Sequence, residues 1–121
     1  MTLADHQITV EGDIVVITLN RNVDFQTMCS LWDNVVSDYN CTKRLWDLTL
    51  FTGMPSQQEL INFARYANEI KLPESYSALV APTDILFGVM RQHQVYRERD
   101  ENTTVQVFRT MEEARSWLTS F

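Results

Sequence analysis

Four times along this chain a run of β-branched or aromatic residues gives way to an amphipathic stretch opened by Asp, Ser or Thr. The openers are Asp24, Ser56, Thr83 or Asp84, and Thr110. Such side chains are favoured at helix N-caps because their oxygens accept from the free N–H groups of the first turn. Strand-then-helix repeated four times narrows the folds sharply. Parallel neighbours need a crossover connection, and a helix is the usual one. The expected class is therefore α/β, a mostly parallel sheet of about five strands covered by four helices, in the order β-β-α-β-α-β-α-β-α.

The segments are legible one by one. "QITVEG" (7–12) and "DIVVITL" (13–19) read as two strands joined by a Gly12-Asp13 turn. From Asp24 to Tyr39, the residues Phe25, Met28, Trp32, Val35 and Tyr39 recur at helical spacing. "KRLWDLTLF" (43–51) reads as a buried strand, apolar enough to be covered on both faces. Ser56 with Glu59 forms a capping box, and Leu60, Phe63, Ala64 and Ala67 make the inner face of the helix it opens. "SYSALVAP" (75–82) is a strand stopped by Pro82, followed by a helix over 83–99 that buries Leu86, Val89, Met90, His93 and Tyr96. "TTVQVFR" (103–109) is the last strand. Thr110 and Glu113 form a second capping box, opening a helix with Ala114, Trp117, Leu118 and Phe121 on one side.

At 121 residues the chain is the size of one domain, 1–121, and it shows no linker, repeat or low-complexity tract. A net charge of −6 argues against nucleic acid and anionic membranes as partners, since phosphate recognition draws on Lys and Arg. The N-terminal "MTLADHQITVEG" lacks the basic start and apolar core of a signal peptide, and no apolar run reaches membrane-spanning length. A cytoplasmic location without membrane insertion is expected. Cys29 and Cys41 form no C-x-x-C pair and read as reduced, structurally neutral thiols. Two histidines and no cysteine cluster leave no zinc pattern, and neither Gly-rich phosphate loops nor a G-x-S-x-G elbow occurs. No metal or cofactor is expected.

The element order, the strand "RLWDLTLF", the segment "LFGVMRQHQVY" and the ending "VQVFRTMEEARSWL" resemble the STAS-like superfamily. Within it they are most similar to the small stand-alone proteins like sporulation anti-sigma-factor antagonists. The resemblance runs over nearly the whole chain from about Ile8. It implies a non-enzymatic binding or regulatory module that recognises a protein partner. In those relatives an Asp-Ser-Ser/Thr-Gly motif after the central strand presents a phosphoacceptor at a helix N-terminus, where free N–H groups favour negative charge. Counted from Asp47-Leu48, this chain has Pro55-Ser56-Gln57-Gln58 there. With the Asp and Gly missing and Ser56 explained as a cap, the module is expected to lack the usual phospho-switch. The same outline recurs in SEC14-like lipid carriers, which gives the alternative: a small apolar or lipid ligand in a pocket near Phe87, Met90 and Tyr96.

The candidate binding residues surround the C-terminal ends of the strands, where open α/β sheets bind ligands. They are Asp47, Thr52, Ser56, Thr83 and Asp84, with Arg91 added from the helix that follows. Asp47 stands in an apolar strand, so its carboxylate needs hydrogen bonds from a neighbouring loop or an arginine such as Arg44. Arg91, His93, Arg97 and Arg99 make a basic stretch, but Glu98, Asp100 and Glu101 among them point to a solvated helix face. His93 reads as a partly buried, hydrogen-bonded histidine, and His6 as part of a frayed end. An enzyme built on Asp47 and His93 requires both on one side of the sheet. Gly88 breaks a helix and is expected to permit close packing. Tyr39, Phe51 and Met54 are candidates for an apolar docking patch, and the generous aromatic content allows a homodimer.

Overall fold

The computed structural model describes residues 5–121. The sequence opens with a hairpin: β1 (His6–Glu11) pairs antiparallel with β2 (Ile14–Leu19), in a register that sets Glu11 opposite Ile14. Gly12 opens the turn at φ 61°, the positive dihedral that the first turn position of this hairpin type requires. His6 pairs with Leu19 as the first residue of β1, so it lies in the sheet rather than in a frayed end. The reading of the extreme N-terminus as lacking a leader falls partly on residues 1–4, outside the described ones.

Helix α1 (Phe25–Asp38) starts where Asp24 accepts from the Thr27 N–H at 2.7 Å. It is followed by β3 (Lys43–Asp47), α2 (Gln57–Glu69), β4 (Ser75–Val80), α3 (Asp84–Arg97), β5 (Thr103–Phe108) and α4 (Met111–Thr119). The sheet order is β1-β2-β3-β4-β5, with every pair after the hairpin parallel. The α/β class, the element order and the mostly parallel five-stranded sheet are those the sequence predicts.

Alternation along the strands sorts the core into two layers. Val15, Ile17, Trp46, Leu79, Val105 and Val107 face α1, α2 and α3, where they meet Leu31, Trp32, Val35, Phe63, Leu86 and Met90. Ile14, Val16, Leu45, Ala78 and Val80 face the opposite way and are covered by Ala114 and Leu118 of α4. Tyr76, Phe108, Trp117 and Phe121 extend this second layer as a run of ring contacts, the tightest being Tyr76 with Phe121 at 3.9 Å between centroids. Arg115 reaches from α4 to β1 and forms two hydrogen bonds to Glu11, at 2.9 and 3.0 Å.

Several local expectations are corrected. The third strand ends at Asp47 rather than running to 51, because the Asp47 carboxylate accepts from both the N–H and the hydroxyl of Thr49 and turns the chain. Ser56 and Glu59 form the reciprocal capping box, whereas at Thr110 only half of it forms: Thr110 caps the Glu113 N–H, and Glu113 accepts from the Thr110 hydroxyl instead of its N–H. Gly88 faces open solvent with nothing within 4 Å of where a Cβ would stand, so no close approach requires it. Phe121 is half exposed and Trp117 only partly buried, so the inner edge of α4 rests on Ala114 and Leu118.

Candidate functional site

Under α1, α2 and α3 the larger core layer is not filled. A cavity of about 100 Å³ reaches from the loops after β2 and β3 down to the middle of β4 and β5. Asn22, Phe25, Pro55 and Glu59 stand at its outer end. Leu19, Met28, Leu48, Leu60, Leu79 and Met90 form apolar walls. The far end is different: Trp32, Ser77, His93 and Arg97 line it, and all four are buried.

The elements explain how polar groups come to lie there. On α3 the buried residues are Leu86, Met90, His93 and Arg97, a spacing of four, three and four that keeps one helix face turned to the sheet. The helix breaks after Arg97, so the stripe ends in a guanidinium. On β3, Arg44 shares its face with Trp46 by strand alternation, and it is also buried. The two guanidinium carbons each lie 5.1 Å from the Trp32 ring centroid. Trp32 in turn stacks on Trp46 at 6.3 Å and meets Phe63 edge-on at 6.1 Å.

Electrostatically the cluster is one-sided. Arg97 donates to the Asn68 side-chain oxygen, and Arg44 donates to the Cys41 carbonyl at 3.3 Å. Among the described residues no carboxylate forms an ion pair with either arginine. Asp100, the nearest acid by charge effect on Arg97, spends its oxygens on the Asn102 N–H and the Thr103 hydroxyl. Burial, with the neighbouring Arg97, holds the Arg44 guanidinium down to about 10. The same two causes push His93 down to about 3, so its imidazole is neutral. Several buried polar atoms have no partner: Trp32 Nε1, His93 Nδ1, and Nε and Nη2 of Arg44. The indole and guanidinium nitrogens among these can only donate. Ser75 Oγ is likewise unpartnered, beside Arg44 in a smaller space of about 60 Å³ near Tyr39 and Cys41.

The residues singled out from the sequence fall elsewhere. Asp47 is half-buried, takes its hydrogen bonds from Thr49, and has no bond to Arg44, which points to the opposite face of β3. Asp47 shares the α4 face while His93 lies on the α3 face, so the sheet separates them and they form no acid–base pair. Thr52 ties the β3–α2 loop to the β2–α1 loop, its carbonyl accepting from the Asn22 N–H at 2.7 Å. Thr83 is the N-cap of α3, and Ser56 that of α2. Asp84 pairs at the surface with Arg109, at 2.6 Å. Arg91 is exposed on the outer side of α3. Thus Asp47, Thr52, Ser56, Thr83 and Asp84 share one end of the sheet but converge on no single pocket.

The basic stretch divides. Arg91 and Arg99 are exposed, the latter resting on Tyr96 at 4.9 Å, while His93 and Arg97 go inside. The pocket expected near Phe87, Met90 and Tyr96 shares only Met90 with the cavity. Phe87 instead carries Arg109 on its face at 4.2 Å. Tyr39 caps the end of α1, away from Phe51 and Met54, so the three form no common patch. Cys29 and Cys41 are free and half-buried. No helix among the described residues is long and apolar enough to cross a membrane, and no group of acidic, His and Cys side chains there has the arrangement of a metal site. No protein-family model matches the chain, and no curated protein matches it significantly.

Proposed function

We propose that the chain is a binding module of the STAS-like type whose primary ligand is a small, largely apolar molecule held in the cavity beneath α1, α2 and α3. The observation that carries this reading is the cavity itself, apolar along its walls with a few polar groups gathered at one end, the usual make-up of a small-molecule site. Its volume of about 100 Å³ is of the order of an apolar cavity that accepts benzene, roughly 150 Å³. A short alkyl chain or a single ring fits that space.

A second reading, recognition of a protein partner, draws support from the exposed apolar side chains around the same end of the sheet. Leu50, Met54 and Ile85 follow β3 and β4 and are 67%, 46% and 72% exposed. The two readings combine naturally if occupancy of the cavity alters its mouth at Phe25, the first residue of α1, and at Phe51 in the loop after β3.

Native mass spectrometry on protein purified from its own cells tests the first reading. A small-molecule adduct that disappears on acid denaturation is the expected result. A bare mass in gentle conditions, together with recovery of a stoichiometric protein partner, would overturn it in favour of the second.

A further inference from the structure

We propose that the cavity's ligand is an acid: its apolar part fills the space between Leu60, Leu79 and Met90, and its carboxylate sits at the far end, facing Arg97, Trp32 and Ser77. This rests on the reading of the cavity as a ligand site and names the chemistry of what enters it.

Three observations converge. First, the far end of the cavity holds a buried cation. Arg97 is only 4% exposed, and among the described residues no Asp or Glu pairs with it. A buried charge ordinarily takes a counter-charge, since leaving one unpaired is strongly destabilising. Here Arg97 donates instead to the oxygen of a neutral amide, Asn68. Second, a further guanidinium, Arg44, lies on the same Trp32 ring and likewise forms no ion pair among the described residues, so the local potential is positive from two sources. Third, the unpartnered atom that Trp32 contributes is a donor only, and the Ser77 hydroxyl can donate as well. Two cations and a donor-only indole N–H, beside a Ser77 hydroxyl and a neutral His93 that can each also donate, describe the complement of an anion.

The size and shape of the cavity select among anions. A phosphate or sulfate would need its four oxygens satisfied, and the walls from Leu19 to Met90 offer nothing to most of them. A carboxylate presents two oxygens at one end and leaves an apolar remainder for the walls. Such a carboxylate forms charge-assisted hydrogen bonds, the stronger kind, at an end of the cavity where the lining side chains are all buried. Glu59 at the outer end is held by the Ser56 N–H at 3.4 Å. Its negative charge stands at the mouth, opposite the cationic end, and favours the bound orientation that keeps the ligand's carboxylate away from the mouth.

The test compares acids with their neutral amides: benzoate against benzamide, and pentanoate against pentanamide, titrated into the full chain at pH 7 by calorimetry or chemical-shift change. Each acid is expected to bind at least tenfold more tightly than its amide. Arg97→Gln is expected to abolish that preference while leaving amide binding in place. Trp32→Phe, which keeps a ring but removes the indole N–H, should lower the preference several-fold and guards against a misfolded Arg97→Gln. Equal affinity for acid and amide in the wild-type chain overturns the carboxylate assignment and leaves the apolar cavity reading standing. Absence of binding by all four compounds overturns both.

Discussion

The imidazole of His93 on α3 lies stacked on the ring of Phe63 on α2, with centroids 5.8 Å apart and planes 26° apart. This packing holds the neutral form, since burial and Arg97 push the group down to about 3, against about 6.5 in an unfolded chain. With the folded value depressed, the unfolded state takes up the proton first. Stability is therefore intact above about pH 6.5 and falls as the pH drops towards 3, at up to about 1.4 kcal/mol per pH unit. By pH 5 the loss is about 2 kcal/mol. Urea unfolding at pH 7, 6 and 5 checks this. His93→Phe should flatten the profile over that range, and a wild-type profile already flat there would contradict a buried neutral imidazole.

Gly88 occupies the middle of α3 with open space where a side chain would be. Gly88→Ala removes the extra backbone entropy of glycine without a clash, and should stabilise the chain by about 1 kcal/mol. Thermal unfolding should show a rise of about 4 °C. A fall would mean that the helix packs against something through this face.

Much of the fold was legible because its signals are local. Asp24, Ser56, Thr83 and Thr110 each mark a helix start through a bond spanning three residues, and each does cap its helix. Strand periodicity likewise separated Leu45 from Trp46 onto two covered faces. The site was harder to see because it depends on which charged residues go inside. Arg97 stands among Arg99, Glu98 and Asp100 and reads as solvated by composition, yet its spacing from Leu86, Met90 and His93 continues the buried stripe. Arg44 gave the same kind of signal, alternating with Trp46 in β3. For Arg97 charge outweighed periodicity in the reading, and periodicity was the better guide; Arg44 was read as a partner for Asp47, which strand alternation puts on the other face. Asp47 erred in the opposite direction: its apolar neighbours suggested depth, while the strand ends at that residue.

Asn68 supports the buried guanidinium of Arg97 and also donates to the Tyr96 carbonyl at 3.0 Å. Asn68→Leu should cost about 2 kcal/mol, chiefly by leaving a buried cation without its acceptor. In an Arg97→Met background the same change should cost less, with a coupling of about 1 kcal/mol or more between the two positions. A double-mutant cycle in urea measures it. Additive effects would show that the bond contributes little.

Ser56 closes a reciprocal capping box with Glu59, its hydroxyl accepting from the Glu59 N–H at 3.1 Å. Ser56→Ala should cost about 1 kcal/mol, while Ser56→Asp, another good N-cap, should stay within a few tenths. Equilibrium unfolding of both variants distinguishes a cap from a silent surface serine. Equal stability of Ser56→Ala and the wild type would remove the cap from the account and reopen Ser56 as a phosphoacceptor.

The central claim is that the space beneath α1, α2 and α3 is a ligand site, and the methionines report on it most directly. Met28 and Met90 line the cavity, whereas Met54 lies in the exposed loop after β3 and Met111 packs against the opposite face of the sheet. Isotope-labelled methionine methyl groups followed by NMR during titration with benzamide, a neutral probe, should shift at Met28 and Met90 in a saturable way, with Met54 and Met111 unmoved. Stationary Met28 and Met90 signals at high probe concentration, or shifts at Met54 and Met111 alone, would contradict it.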